Sequence, residues 1–170
     1  SLTSIELPSG VTSIGEDAFV ECSSLTSIIV ESGNTVYDSR DNCNAIIETA
    51  TNTLIAGCKN TVIPNSVTSI GEDAFSYCSS LTSIEIPSGV TSIGAWAFSG
   101  CSGLTSVTFG KNSQLTSIGE RAFSGCSSLT SIEIPSGVTS IGNGTFYNCS
   151  SLTSVTFGEN SQLTYIGYSA

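Results

Sequence analysis

Histidine and methionine are absent from this 170-residue chain, only four residues are basic, and no apolar run approaches the length of a membrane span. Without histidine the commonest general base is missing and a Ser-His-Asp arrangement is ruled out. Zinc is disfavoured too, because tight Cys-x-x-Cys pairs are lacking along with the imidazoles. Fourteen carboxylates against four bases give a net charge of −10, which argues against phosphate backbones and anionic lipid as direct partners. The bases, Arg40, Lys59, Lys111 and Arg121, are too scattered to form the stripe that nucleic-acid binding needs. The first residues read as neither a signal peptide nor an anchor.

What the chain has in excess is repetition. Ile-Gly, two variable residues, a small residue, Phe, two more, then Cys-Ser-x-Leu-Thr-Ser recurs over 70–84, 93–107, 118–132 and 141–155, with an earlier copy at 14–28. Self-similarity at this period marks one small unit stacked many times. The phase markers are Leu2, Leu25, Leu81, Leu104, Leu129 and Leu152, and the long gap between the second and third hides a further unit with Cys58 in the leucine position. About seven units of 23–25 residues result, a single solenoid over 1–170 with an insertion at about 37–57. Both ends fall inside a unit, so a stretch of a longer array is expected, with end-to-end self-association or a frayed last unit.

Within a unit, Leu81-Thr-Ser-Ile-Glu-Ile86 carries the apolar alternation of a strand. Pro87-Ser-Gly89 turns the chain, and Val90-Thr-Ser-Ile93 is a second short extended run. The three-residue spacing of Phe98 and Cys101 then predicts a helical or 3₁₀ turn. Some units replace the three-residue turn by five, as in Phe109-Gly-Lys-Asn-Ser-Gln-Leu115. That difference should bulge at one edge while the inward residues stay in register. In the insertion, two apolar runs around Thr49-Ala-Thr-Asn52 predict a β-hairpin, packed over the stack in place of a missing Phe or projecting as a recognition finger.

No unit can bury its apolar face alone, so neighbours must cover it. Phe19, Phe75, Phe98, Phe123 and Phe146 are expected to form one column, and Cys22, Cys78, Cys101, Cys126 and Cys149 a parallel ladder of small buried groups. A disulfide between Cys43 and Cys58, which flank the insertion, is the minor alternative to two reduced thiols.

The full unit, Ile-Gly-x-x-Ala-Phe-x-x-Cys-Ser-x-Leu-Thr-Ser-Ile-x-Ile-Pro-x-x-Val-Thr-Ser, resembles the BspA-like, treponemal-type leucine-rich repeat of bacterial surface proteins. It departs from that pattern at 37–57, where the Ala-Phe piece is lost. The resemblance implies a right-handed leucine-rich-repeat solenoid, mainly β with short helical or 3₁₀ turns. It also implies an extracellular or cell-surface array that binds host or neighbouring-cell proteins. From the residues themselves no cofactor or metal is expected.

Candidate chemistry is sparse. Glu6, Glu85 and Glu133 recur on an open strand face, which is a solvated surface and not the tuned carboxylate pair of a glycosidase. Asp38-Ser-Arg-Asp-Asn42 lacks the glycine and closing glutamate of a helix-loop-helix calcium loop and reads as a turn. Information is richest just after each Ile-Gly, where Trp96, Tyr77, Tyr147 and Arg121 are the residue types that anchor protein interfaces. A non-enzymatic binding or adhesion module is therefore expected. A structural scaffold is the alternative, and an ice-ordering Thr/Ser face a remote one.

Overall fold

The computed structural model describes residues 2–15 and 17–170; the first Ile-Gly copy contains Glu16, which lies outside them, as does Ser1. The Val-Thr-Ser-Ile runs give two-residue strands: β6 (Ser69–Ile70), β8 (Ser92–Ile93), β10 (Ser117–Ile118) and β12 (Ser140–Ile141), with β14 (Tyr165–Ile166) in the same place. Each pairs in parallel with the equivalent strand of the next unit. Threonine reinforces the ladder twice: Thr91 donates its N–H (2.9 Å) and its hydroxyl (3.1 Å) to the Thr68 carbonyl, and Thr116, Thr139 and Thr164 repeat the pattern. The β-branched residue thus satisfies its own hydroxyl while fixing the register.

The insertion does not project as a finger. β3 (Tyr37–Asp38), β4 (Ala45–Glu48) and β5 (Thr53–Gly57) form an antiparallel meander, and β5 pairs in parallel with β6, so the meander extends this face into an eight-stranded sheet. Ile46, Ile47 and Leu54 are fully buried by it.

The Leu-Thr-Ser-Ile strands behave differently. They pair only two by two: β1 (Ser4–Leu7) with β2 (Ser27–Val30), β7 (Ser83–Ile86) with β9 (Ser106–Phe109), and β11 (Ser131–Ile134) with β13 (Ser154–Phe157). The residue after the strand explains why. In β9 and β13 it is Gly110 or Gly158, whose N–H reaches back to Ile86 (2.8 Å) or Ile134 (3.0 Å). In β7 and β11 it is Pro87 or Pro135, which has no N–H to give to the unit before. A proline strand accepts a successor but does not bond to its predecessor, so the sheet opens ahead of β7 and ahead of β11.

The core runs the length of the stack. Phe75, Phe98 and Phe123 are fully buried, and with Phe146 their rings stack at centroid distances of 4.9, 5.2 and 5.8 Å, within 9° of parallel. Phe19 is not in this column. It packs with Leu7, Leu25 and Ile28 in a separate cluster, because the insertion supplies no phenylalanine to bridge the gap. Gly57 meets Phe75 instead: a Cβ there would lie 2.1 Å from the ring. The result is a β-solenoid of about seven turns, with stability carried by unit-to-unit contacts.

Candidate functional site

The compact segment after each Ile-Gly is a chain of tight turns, not a helical one; among the described residues the single 3₁₀ turn is Arg40–Asn42, inside the insertion. Left-handed residues interrupt any helix. Asp73, Trp96, Arg121 and Gly144 have φ of 53°, 58°, 51° and 59°, and Tyr77, Gly100, Gly125 and Asn148 repeat the conformation four residues later. Between them alternate peptides point along the stack. The N–H groups of Trp96, Phe98 and Gly100 donate to the carbonyls of Glu120, Ala122 and Ser124 in the next unit, at 2.9, 2.7 and 2.7 Å. Remaining peptides close local turns, as Ser99 N–H does on Trp96 (2.8 Å). The geometry places the side chains of the left-handed residues in columns on the outside.

Those columns hold Tyr77, Trp96 and Arg121, and Tyr147 joins them from the neighbouring column, where Ser76, Ser99 and Ser124 are buried. The Arg121 guanidinium lies over the Trp96 ring at 4.8 Å and over the Tyr147 ring at 5.8 Å, a cation held between two aromatic faces from the units on either side. Its aliphatic stem passes over Gly144, where a Cβ would sit 3.2 Å from Cγ. Tyr77 covers Gly100 in the same fashion, its Cδ1 only 2.5 Å from where a Cβ would be. Trp96 is half-buried, whereas Tyr77 (47%) and Tyr147 (49%) leave about half their surface in solvent. No carboxylate salt-bridges Arg121 among the described residues. The four lie on consecutive units, with Arg121 against Trp96 and Tyr147 and with Tyr77 over Gly100. Large residues at left-handed positions cost roughly 1–3 kcal/mol each, whereas the glycines elsewhere in these columns adopt the conformation freely.

Two grooves occupy the places where the strand face opens. One, about 540 Å³, runs between Thr61–Asn65 and β7 and is lined by Asp41, Val62, Pro64, Glu85 and Pro87. The other, about 470 Å³, separates β9 from β11 beside Phe109, Asn112, Glu133 and Pro135. From the sequence, this face reads as an open, solvated strand surface without grooves. The signal that distinguishes it is the alternation of Pro and Gly after the strands.

The cysteines are reduced, Cys43 and Cys58 included. Their ladder is not purely apolar: the thiols of Cys101, Cys126 and Cys149 donate to the carbonyls of Phe75, Phe98 and Phe123 in the preceding unit, at 3.1, 3.2 and 3.1 Å. Burial pushes Cys78 up to about 11 and Cys101 and Cys126 further, so these thiols are inert donors and not nucleophiles. Asp38 is held by the Arg40 guanidinium and the Thr49 hydroxyl (2.7 Å), while Arg40 also donates to Asn52 (2.7 Å), which locks the root of the meander. Asp73 is raised by burial and by its neighbour Asp17. Neither a metal-holding group of side chains nor a helix long and apolar enough to cross a membrane is present among the described residues.

The chain matches the BspA type leucine rich repeat region in six copies, over residues 1–57 and 55–170. No curated protein matches it. Among solved structures it is similar to a leucine rich cell surface protein of Faecalibacterium prausnitzii, with 33% identity over 99% of this chain and 48% of that one, at a TM-score of 0.77. The T. pallidum leucine rich repeat protein is 28% identical over 72% of this chain and 60% of its own, at 0.61. The pneumococcal vaccine antigen PcpA shares the fold at 0.79 with 23% identity, over 98% of this chain and 42% of its own. The chain thus spans about half the length of the first two solved relatives it matches or less.

Proposed function

Since the chain belongs to the BspA type leucine-rich-repeat family, we propose that it is a non-enzymatic protein-binding module displayed on a bacterial surface, and that the Tyr77, Trp96, Arg121 and Tyr147 strip is its contact with a partner protein. The observation that carries this reading is the exposed Arg121 guanidinium stacked between the half-exposed rings of Trp96 and Tyr147. Aromatic residues and arginine supply most interface hot spots, and a pre-stacked set loses little side-chain entropy on binding. The Faecalibacterium relative is described as a cell surface protein, which supports an extracellular location for this one. Extracellular-matrix and host-surface proteins are the expected partners, as members of this family imply.

The test is binding of the purified chain to a panel of immobilised extracellular-matrix and host-surface proteins, with Trp96→Ala and Arg121→Ala beside the parent. Loss of a hot-spot residue costs about 2 kcal/mol or more, so binding should weaken roughly thirtyfold in each variant. Full-strength binding by both variants would remove the strip from the interface. Glu85→Lys, on the opposite kind of surface, should leave this binding unchanged.

A further inference from the structure

The face formed by the Leu-Thr-Ser-Ile strands opens ahead of β7 and β11, and the same happens ahead of the equivalent proline-bearing segment Thr61–Pro64, where the chain itself fills the opening. Between β2 and the Thr61–Pro64 segment lie residues 39–44 of the insertion. Ser39 Oγ accepts the Val30 N–H at 2.9 Å, the Cys43 carbonyl accepts the Val62 N–H at 3.0 Å, and the Asn44 carbonyl accepts the Thr61 hydroxyl at 2.7 Å. A short stretch of polypeptide thus satisfies the facing edges of two units whose strand backbones do not bond to each other, the direct link being Asn60 Nδ2, which donates to the Thr26 carbonyl at 3.0 Å. The Val62 amide is the one it reaches on the proline side.

By repeat position Val62 corresponds to Glu85 in β7 and to Glu133 in β11, and Val30 corresponds to Phe109. Glu85 lines the groove ahead of β7, and Glu133 and Phe109 line the groove ahead of β11, with none of the described residues between the walls. Strand edges of this kind take up an added backbone. The groove ahead of β7 is the larger, and its lining carries two carboxylates, Asp41 and Glu85, no lysine or arginine, and the apolar lip of Val62, which is 74% exposed. Both carboxylates are exposed and neither is in a salt bridge, the Asp38–Arg40 pair being the one ion pair among the described residues.

We propose that the groove between Thr61–Asn65 and β7 binds a short basic peptide segment of a partner protein. The segment offers a backbone carbonyl to the Glu85 N–H, as Cys43 does to Val62. Its lysine or arginine side chains meet Asp41 and Glu85, and an aliphatic residue rests on Val62 and Pro87. The site is separate from the aromatic strip and stands whether or not that strip binds.

A random heptapeptide library displayed on phage is panned on the whole chain, and the enriched sequences are synthesised and titrated by fluorescence anisotropy. Enriched peptides should carry lysine or arginine, bind about tenfold more weakly to Glu85→Lys and more weakly to Asp41→Asn, and bind unchanged to Arg121→Ala and Thr156→Lys. Hydrogen exchange on the free chain should show a slow Val62 amide and a fast Glu85 amide, the latter slowed by the peptide. All four substituted positions are exposed, and circular dichroism verifies that the variants keep the parent fold. The proposal is overturned if panning yields no basic peptide, if Glu85→Lys binds as tightly as the parent, or if the peptide protects the Trp96–Arg121 strip and leaves Glu85 fast.

Discussion

Gly57→Ala is the sharpest probe of how the insertion joins the stack. Gly57 closes β5, and its N–H donates to the Ala74 carbonyl at 2.8 Å, so its backbone cannot drift away from the following unit. A methyl group at that position would sit 2.1, 2.4 and 2.9 Å from three atoms of the Phe75 ring. Carbon contacts settle at about 3.5–4.0 Å, so the ring or the strand must move by more than an ångström. Phe75 has little room, being buried to 2% exposure and stacked 4.9 Å from Phe98. Inserting a methyl into a packed core costs roughly 1–3 kcal/mol, whereas the entropy gained by replacing a strand glycine is about 0.4–1 kcal/mol. The clash wins, and net destabilisation of about 1–2 kcal/mol is expected. Urea denaturation of the parent, Gly57→Ala, Phe75→Leu and the double variant measures it, with the double variant less destabilised than the sum because the smaller side chain leaves space for the methyl. Equal or higher stability of Gly57→Ala would refute the claim that glycine and phenylalanine substitute here for a ring-on-ring contact.

Two further perturbations separate core from clamp. Phe98→Ala removes a fully buried ring with stacked partners on both sides and should cost roughly 3–5 kcal/mol, whereas Phe146→Ala, half-buried, should cost distinctly less in the same denaturation assay. Equal costs would mean that the stack is not the source of the stability. For Asp38, burial raises the carboxyl, but bonds from Arg40 and Thr49 outweigh it and the net shift is downward. Its contribution is therefore present above the ordinary aspartate range, near pH 4, and is lost as pH falls through the lower folded-state value. Asp38→Asn should lower the denaturation midpoint at pH 7 and converge on the parent below about pH 4; a difference that persists undiminished in acid would exclude the ion pair as its cause.

Much was legible before any coordinates, because a recurring unit declares its own stacking. Ile-Gly-x-x-Ala-Phe-x-x-Cys at near-constant spacing already implies that Phe98 sits between Phe75 and Phe123 and that Trp96 and Arg121 share one position of adjacent units, whereas the place of Tyr147 beside Arg121 was not legible, its equivalents Ser76, Ser99 and Ser124 being buried. Local rules served less well for the segment around Phe98. Spacing suggested a helical turn, but inter-unit hydrogen bonds from alternate peptides hold Trp96 and its equivalents in the left-handed region and prevent one.

What periodicity determined was the existence, number and inward face of the units, since burial of a repeated apolar set depends on spacing alone. Tertiary structure decided which strand edges stay open and what closes them. A proline without an N–H breaks the bonding to the unit before it, yet nothing local says whether the opening is then filled by residues 39–44, as at Val62, or left as a groove, as at Glu85. That choice rests on contacts between segments distant along the chain, made only once the meander has folded against its neighbours.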